Sequence, residues 1–128
     1  MNSYQRLLAR LRGEPVDRPP NLDIMMTFAA HHIGRPLSRY YLDHRVRCPA
    51  TRPPEAFDLD IGQAISDPYR EAADFGATID FPDDGLPICR VPLLAEPTDL
   101  TRLRPPDPAA GRRMGDRIAA VADLRAQV

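Results

Sequence analysis

Apolar and polar positions along this chain switch between a helical period and a period of two. From Ser3 to Arg12, Tyr4, Leu7, Leu8 and Leu11 recur at helical spacing and Gly13 follows as a left-handed stop. The pattern predicts a helix with Arg6, Arg10 and Arg12 on its solvated flanks. After the linker EPVDRPP the period becomes two: Leu22, Ile24, Met26 and Phe28 alternate with Asp23, Met25 and Thr27. That alternation predicts a strand running into Ala29, Ala30, His31 and His32. Gly34 interrupts, and Pro36 starts a short helix carrying Leu37, Tyr40 and Tyr41.

The stretch from Phe57 to Val91 organises the rest. Leu59 to Ile65 reads as a buried strand ending at Ser66-Asp67, where Asp67 stands before Pro68 and can accept from the free amides of a helix running to Phe75. Gly76 closes that helix. Ala77, Ile79 and Phe81 then mark one face of a second strand, and Pro82-Asp83-Asp84-Gly85 is a turn. Ile88 to Val91 forms a strand antiparallel to the last, at an edge because Pro87 and Pro92 bracket it. Thr98 caps a brief turn of helix through Leu103. A last helix spans Arg112 to Val128, with Met114, Ile118, Val121, Leu124, Arg125 and Val128 facing inward and Arg112, Arg113, Asp116 and Asp123 outward. The segment Asp43 to Phe57 should cross between strands as a helix, yet Pro49, Pro53 and Pro54 lie within it, each costing a helix interior about 3 kcal/mol. Strand, helix, strand with little slack predicts an α/β fold.

Length and charge narrow the function classes. The 128 residues suffice for one domain, taken as 1–128, with a modest core. Seventeen basic and 18 acidic residues nearly cancel, and without a long basic block nucleic acid is not an expected partner. Apolar runs fall short of the ~20 residues a membrane helix needs, so no membrane association is expected. Two cysteines, Cys48 and Cys89, make no disulfide framework, which fits a reducing cytoplasm. GxGxxG, GxxxxGK and GxSxG sequences are absent.

Asp67 is the first candidate for function: a carboxylate at a strand end can hold a cationic or hydrogen-bonding substrate or stabilise developing positive charge. The structural alternative is a helix cap at Pro68. His31 is the second candidate, as hydrogen-bond donor or general acid. As neighbours, His31 and His32 diverge on either a strand or a helix and make a poor chelating pair. His44 and Cys48 have the i, i+4 spacing of two ligands on one helical face, but no CxxC or HxH accompanies them and no metal site is assigned. Asp80, Asp83 and Asp84 lack the spacing of a calcium loop and read as a hydrophilic turn.

LRGEPVDRPP at 11–20, MMTFAAHHIGRPLSRYYLD at 25–43, FDLDIGQAISDP at 57–68 and FGATIDFPDDGLPICRVPL at 75–93 come in an order that resembles the N-terminal part of the uroporphyrinogen decarboxylase superfamily. The likeness is closer to its branch of methyltransferases, which move methyl groups between corrinoid proteins and thiols such as coenzyme M. The resemblance implies the N-terminal third of a (β/α)8 TIM barrel, here with an N-terminal helix, a short β-hairpin and a C-terminal helix.

The resemblance also assigns roles. The family's essential aspartate, in a Ser-Asp pair after the second strand, falls on Asp67. The decarboxylases carry MRQAGR where this chain has Met26 to His31, and Thr27 and His31 replace its two substrate-binding arginines. Uroporphyrinogen itself, a polyanion, is therefore disfavoured as substrate. Zinc in the methyltransferases is held by His and Cys residues of the later barrel, so this chain alone is expected to bind no cofactor, with zinc and a corrinoid protein belonging to a completed enzyme. The expected partners are a second copy or a complementary barrel chain. The alternative is a non-catalytic interaction module.

Overall fold

The computed structural model describes residues 1–51, 57–65 and 67–126. Helices α1 (Ser3–Leu11), α2 (Met26–His32), α3 (Leu37–Leu42), α4 (His44–Thr51) and α5 (Arg70–Asp74) precede a hairpin of β1 (Thr78–Asp80) and β2 (Ile88–Val91). A 3-10 helix (Pro97–Arg102) and α6 (Arg112–Arg125) follow. The fold is mixed α/β. Its described sheet has two antiparallel strands, pairing Thr78 with Val91, Ile79 with Cys89 and Asp80 with Ile88, and does not close into a barrel.

Two expected strands are absent among the described residues. Residues 21–25 are irregular and the chain turns helical at Met26, so Phe28, His31 and His32 lie on α2 rather than on a strand. Ala29 and Ala30 are fully buried on this helix. With Leu37, Tyr40 and Tyr41 they form the core cluster, against which Met25, Ile33 and Phe81 pack. Period-two alternation lost to this packing: two adjacent small residues let α2 approach its neighbours closely, which a strand would have split between two faces. The switch strains the backbone, since Met26 has φ 28° in a region that L side chains rarely adopt. Residues 61–65 are likewise irregular. They keep a vestige of pairing with 21–25 through the Asp60 amide donating to the Asn21 carbonyl at 2.9 Å and Gln63 Nε2 to the Leu22 carbonyl at 3.1 Å.

Elsewhere the local signals hold. Asn2 and Gln5 cap α1 reciprocally, each side chain meeting the other's amide. Pro36 stands immediately before α3, and Gly76 follows α5 with φ 107°, a value glycine adopts without a Cβ penalty. Pro49 is accommodated in the last part of α4, and residues 52–56, where Pro53 and Pro54 fall, lie outside the described residues. The hairpin turn is more than a polar surface loop: the Asp83 carbonyl accepts the Leu37 amide at 2.8 Å and its carboxylate accepts the Ser38 hydroxyl, so the turn caps α3. α6 packs on α4 and α5, and α4 on α2 and α3.

Helices α1 and α6 are turned away from the orientation their apolar periodicity predicts, leaving Leu7, Leu8, Met114 and Leu124 only half-buried. On α1 the buried residues are Arg6 and Ala9, while Tyr4 and Leu11 are 74% and 77% exposed. On α6 they are Arg113 and Ala120, with Ile118 and Val121 each 52% exposed. Arg6 and Arg113, expected in solvent, point inward because carboxylates distant in sequence receive them.

Candidate functional site

The inward face of α6 meets α4 and α5 across a network of buried charges. Arg47, Arg70 and Arg113 are all under a tenth exposed. Arg113 Nη2 donates to Asp67 Oδ2 and its Nη1 to the Tyr41 carbonyl at 2.6 Å, while its guanidinium lies over the Phe81 ring, 4.9 Å from the centroid. Arg70 Nη1 donates to the Arg113 carbonyl at 2.5 Å. Burial, then the neighbouring Arg47 and Arg113, pulls Arg70 down to about 10. Arg47 Nη2 donates to Asp116 Oδ2 at 2.6 Å and its Nη1 to the Tyr40 and Tyr41 carbonyls at 3.2 and 3.3 Å. The α6 amides of Arg113 and Met114 donate to Asp74 on α5, which fixes the start of the helix.

Asp67 uses its two oxygens separately. Oδ1 accepts the Tyr69 amide at 3.0 Å, capping the turn into α5, and Oδ2 pairs with Arg113. Its side chain has no exposed surface. The helix itself begins at Arg70, two residues after Pro68. His31 is exposed on α2, and no hydrogen bond or ion pair joins it to Asp67 among the described residues. His32 belongs to an aromatic group, stacked on Phe28 at 6.0 Å and edge-on to Phe57 at 5.1 Å.

A second constellation was not legible as one. Asp43, His44 and Asp116 are half-buried, and a ligand atom from each lies within 4.8 Å of the others, close enough to hold a single metal ion. They border a cavity whose walls include Arg39, Arg45 and Arg112. Asp116 Oδ1 accepts the His44 amide at 2.7 Å and faces His44 Nδ1 at 2.9 Å, and Asp43 is bridged by Arg45 at 3.0 and 3.1 Å. Hydrogen bonding to Arg45 holds Asp43 below the usual carboxylate range, and bonding to Arg47 and His44 outweighs burial to do the same for Asp116. A cation would therefore compete with Arg45 and Arg47 for these oxygens. Asp43 and His44 were visible as neighbours in sequence; Asp116, 72 residues from His44, carried no signal.

Cys48 is buried, its thiol facing the Ala120 carbonyl at 3.6 Å, and burial pushes its pKa up. Cys89 lies on β2 and lines a different cavity, with Tyr69 and Phe75.

A third network joins the N-terminal segments. Arg6 bridges Asp17 at 2.7 Å and Asp60 at 2.5 Å, and Arg18 bridges Asp58 at 2.7 Å and Asp60 at 2.6 Å. The Asn21 amide also donates to Asp60 at 2.8 Å.

The family model described as Uroporphyrinogen decarboxylase (URO-D) matches residues 2–128. The chain belongs to the uroporphyrinogen decarboxylase family. Searches of curated proteins and of solved structures returned no match. Within this decarboxylase family domain the described residues contain no helix long and apolar enough to cross a membrane.

Proposed function

We propose that residues 1–128 form the substrate-positioning portion of a uroporphyrinogen decarboxylase family enzyme of the methyl-transferring type, with Asp67 as its substrate-orienting carboxylate and His31 as a hydrogen-bond or proton donor. The observation that carries this reading is the fully buried Asp67 carboxylate, fixed by the Tyr69 amide and Arg113 in a chain that the family model spans. The Tyr69 amide keeps the carboxylate oriented, so the rearrangement that would let it face positive charge on a substrate is confined to the Arg113 pair. Asp67 and Arg113 would part as the substrate group replaces the guanidinium. His31, being exposed, is free to meet a bound molecule. The remaining strands of a TIM barrel and a corrinoid protein would be supplied from outside this segment, and zinc, when bound there, would supply an activated thiolate. No residue of this chain is assigned to zinc.

The test is methyl transfer from a methylated corrinoid to a thiol, and in parallel uroporphyrinogen decarboxylation, by the chain with and without a complementary barrel polypeptide. Activity only in the complemented methyl-transfer assay, falling about 100-fold in Asp67→Asn, supports the reading. Unchanged turnover in Asp67→Asn overturns it.

The exposed Tyr4 and Leu11 of α1 and Ile118 and Val121 of α6 favour a second reading, a module that self-associates. The chain exposes 8424 Å², whereas a compact monomer of 14.3 kDa exposes about 6,800 Å². The excess, roughly 1,600 Å² on one chain, is about twice the ~800 Å² that each partner buries in a standard protein interface. Light scattering beside circular dichroism separates the two: a folded, discrete oligomer inactive with any complementing chain supports the module.

A further inference from the structure

Away from the charge networks, a cavity of about 400 Å³ opens beside α5 and the segment after β2. Tyr69, Ala72, Phe75, Cys89 and Leu94 are among its walls, and almost all of its surface is carbon. It continues into a second space of about 530 Å³ that shares Phe75, Pro92, Leu93 and Leu103 with it and is completed by Asp99, Arg102 and Arg104. Sizes in this range, apolar walls and a few charged groups at one end are what small-molecule sites have in common.

The charged end is biased towards an anion. Asp99 is already committed: Oδ2 accepts the Ala95 and Glu96 amides at 3.2 and 2.9 Å, and Oδ1 faces Arg102 at 3.2 Å. Arg104 differs, since its Nη1 donates to the Thr101 and Leu103 carbonyls, both at 3.0 Å, and no ion pair engages it among the described residues. Carbonyl partners orient a guanidinium but do not neutralise it, so the mouth keeps an uncompensated positive charge next to an apolar hollow.

We propose that this groove binds an amphipathic monocarboxylate, a free acid with a straight aliphatic tail, the tail lying against Phe75, Leu93 and Leu103 and the carboxylate on Arg104. The complementarity is of two kinds at once. Apolar walls favour the tail whatever its headgroup, and Arg104 selects the sign of the head. Neither a polyanion, which the hollow would force out of water, nor a neutral hydrocarbon satisfies both ends.

Calorimetric titration of the whole chain with octanoate, decanoate and decyltrimethylammonium, all below their micelle concentrations, tests this. Saturable one-to-one binding of decanoate is expected, tightening roughly fourfold per added methylene from octanoate. The decylammonium should bind at least about fivefold more weakly, and Arg104→Gln, a change at an exposed position, should weaken decanoate about fivefold while leaving the ammonium no weaker. Leu103→Gln should weaken both, with an unchanged circular dichroism spectrum showing that the fold survives. Equal affinity for the two headgroups, no saturable binding of decanoate, or an Arg104→Gln variant that binds it as before would overturn the proposal. So would sedimentation with anionic phospholipid vesicles that decanoate does not compete away, since the surface would then recognise a bilayer rather than a free acid.

Discussion

Arg113 on α6 and Asp67 at the entrance to α5, 46 residues apart, form an ion pair in which both side chains are almost entirely out of solvent. The pair ties the C-terminal helix to the carboxylate proposed above to orient substrate. Its cost is desolvation of two charges, which the Tyr41 carbonyl and the Tyr69 amide partly offset with further hydrogen bonds.

Removing one partner should therefore be worse than removing both. Arg113→Ala takes the Arg113 partner from the buried Asp67 carboxylate and should cost about 3–5 kcal/mol of unfolding free energy in urea titrations. Arg113→Met combined with Asp67→Asn should lose less than Arg113→Ala alone. A double variant at least as unstable as the single one would mean that the pair stabilises by packing rather than by charge compensation.

Acid should loosen the N-terminal segments. The Arg6 hydrogen bond holds Asp17 well below the usual carboxylate range. At Asp60 burial pushes the other way but is outweighed by bonds from the Asn21 amide, Arg18, Ser3 and Arg6. Both folded-state values are depressed, so the stabilisation is fully present above the ordinary carboxylate pKa of about 4 and fades as pH falls from there towards the folded values. Asp60→Asn should be less stable than the parent at pH 7 and the gap should narrow by pH 3, followed by thermal unfolding. A constant gap across that window would show that Asp60 acts without its charge.

Tyr41 carries a hydroxyl that is wholly buried and without a hydrogen-bond partner among the described residues, and burial raises its pKa. Its ring packs on Tyr40 and Phe81, so Tyr41→Phe keeps the contacts and drops only the unsatisfied group. The variant should be neutral or more stable by about 1 kcal/mol. A loss of more than about 1 kcal/mol in the same denaturation assay would mean that the hydroxyl is satisfied in solution.

On α6 the two faces should respond in opposite senses. Ile118→Lys and Val121→Lys lie outward and should change monomer stability by less than about 0.5 kcal/mol, while lowering the mass measured by light scattering if that face mediates self-association. Ala120 is fully buried, and Ala120→Leu should cost about 1–3 kcal/mol by overpacking. The reverse ranking would restore the orientation that apolar periodicity predicts.

Local chemistry settled much of the chain. The bounds of α1, α3 and α6, the stop at Gly76, the hairpin between Ile79 and Cys89 and the short helical turn at Leu100 lie within a few residues of the pattern-based expectation, because caps, prolines and glycines act on their own neighbours. Asp67 could be singled out for the same reason, standing at a boundary that the Pro68 ring makes visible. Family membership was also legible, from four short stretches in a fixed order, and the match over residues 2–128 agrees with it.

What sequence alone could not decide was which way each element faces. Periodicity says that Tyr4 and Leu11 share a stripe of α1, or Ile118 and Val121 lie near one another on α6, but not that these residues turn outward. That choice was made by carboxylates far along the chain: Asp60 receives Arg6 from 54 residues away, Asp116 receives Arg47 from 69, and Asp67 receives Arg113 from 46. The same long-range packing turned the alternating run at Met26 into a helix over Ala29 and Ala30, and brought Asp43, His44 and Asp116 within reach of one ion. A buried arginine requires an acidic or carbonyl partner at hydrogen-bond distance, and such a partner exists only once the tertiary fold has brought it there.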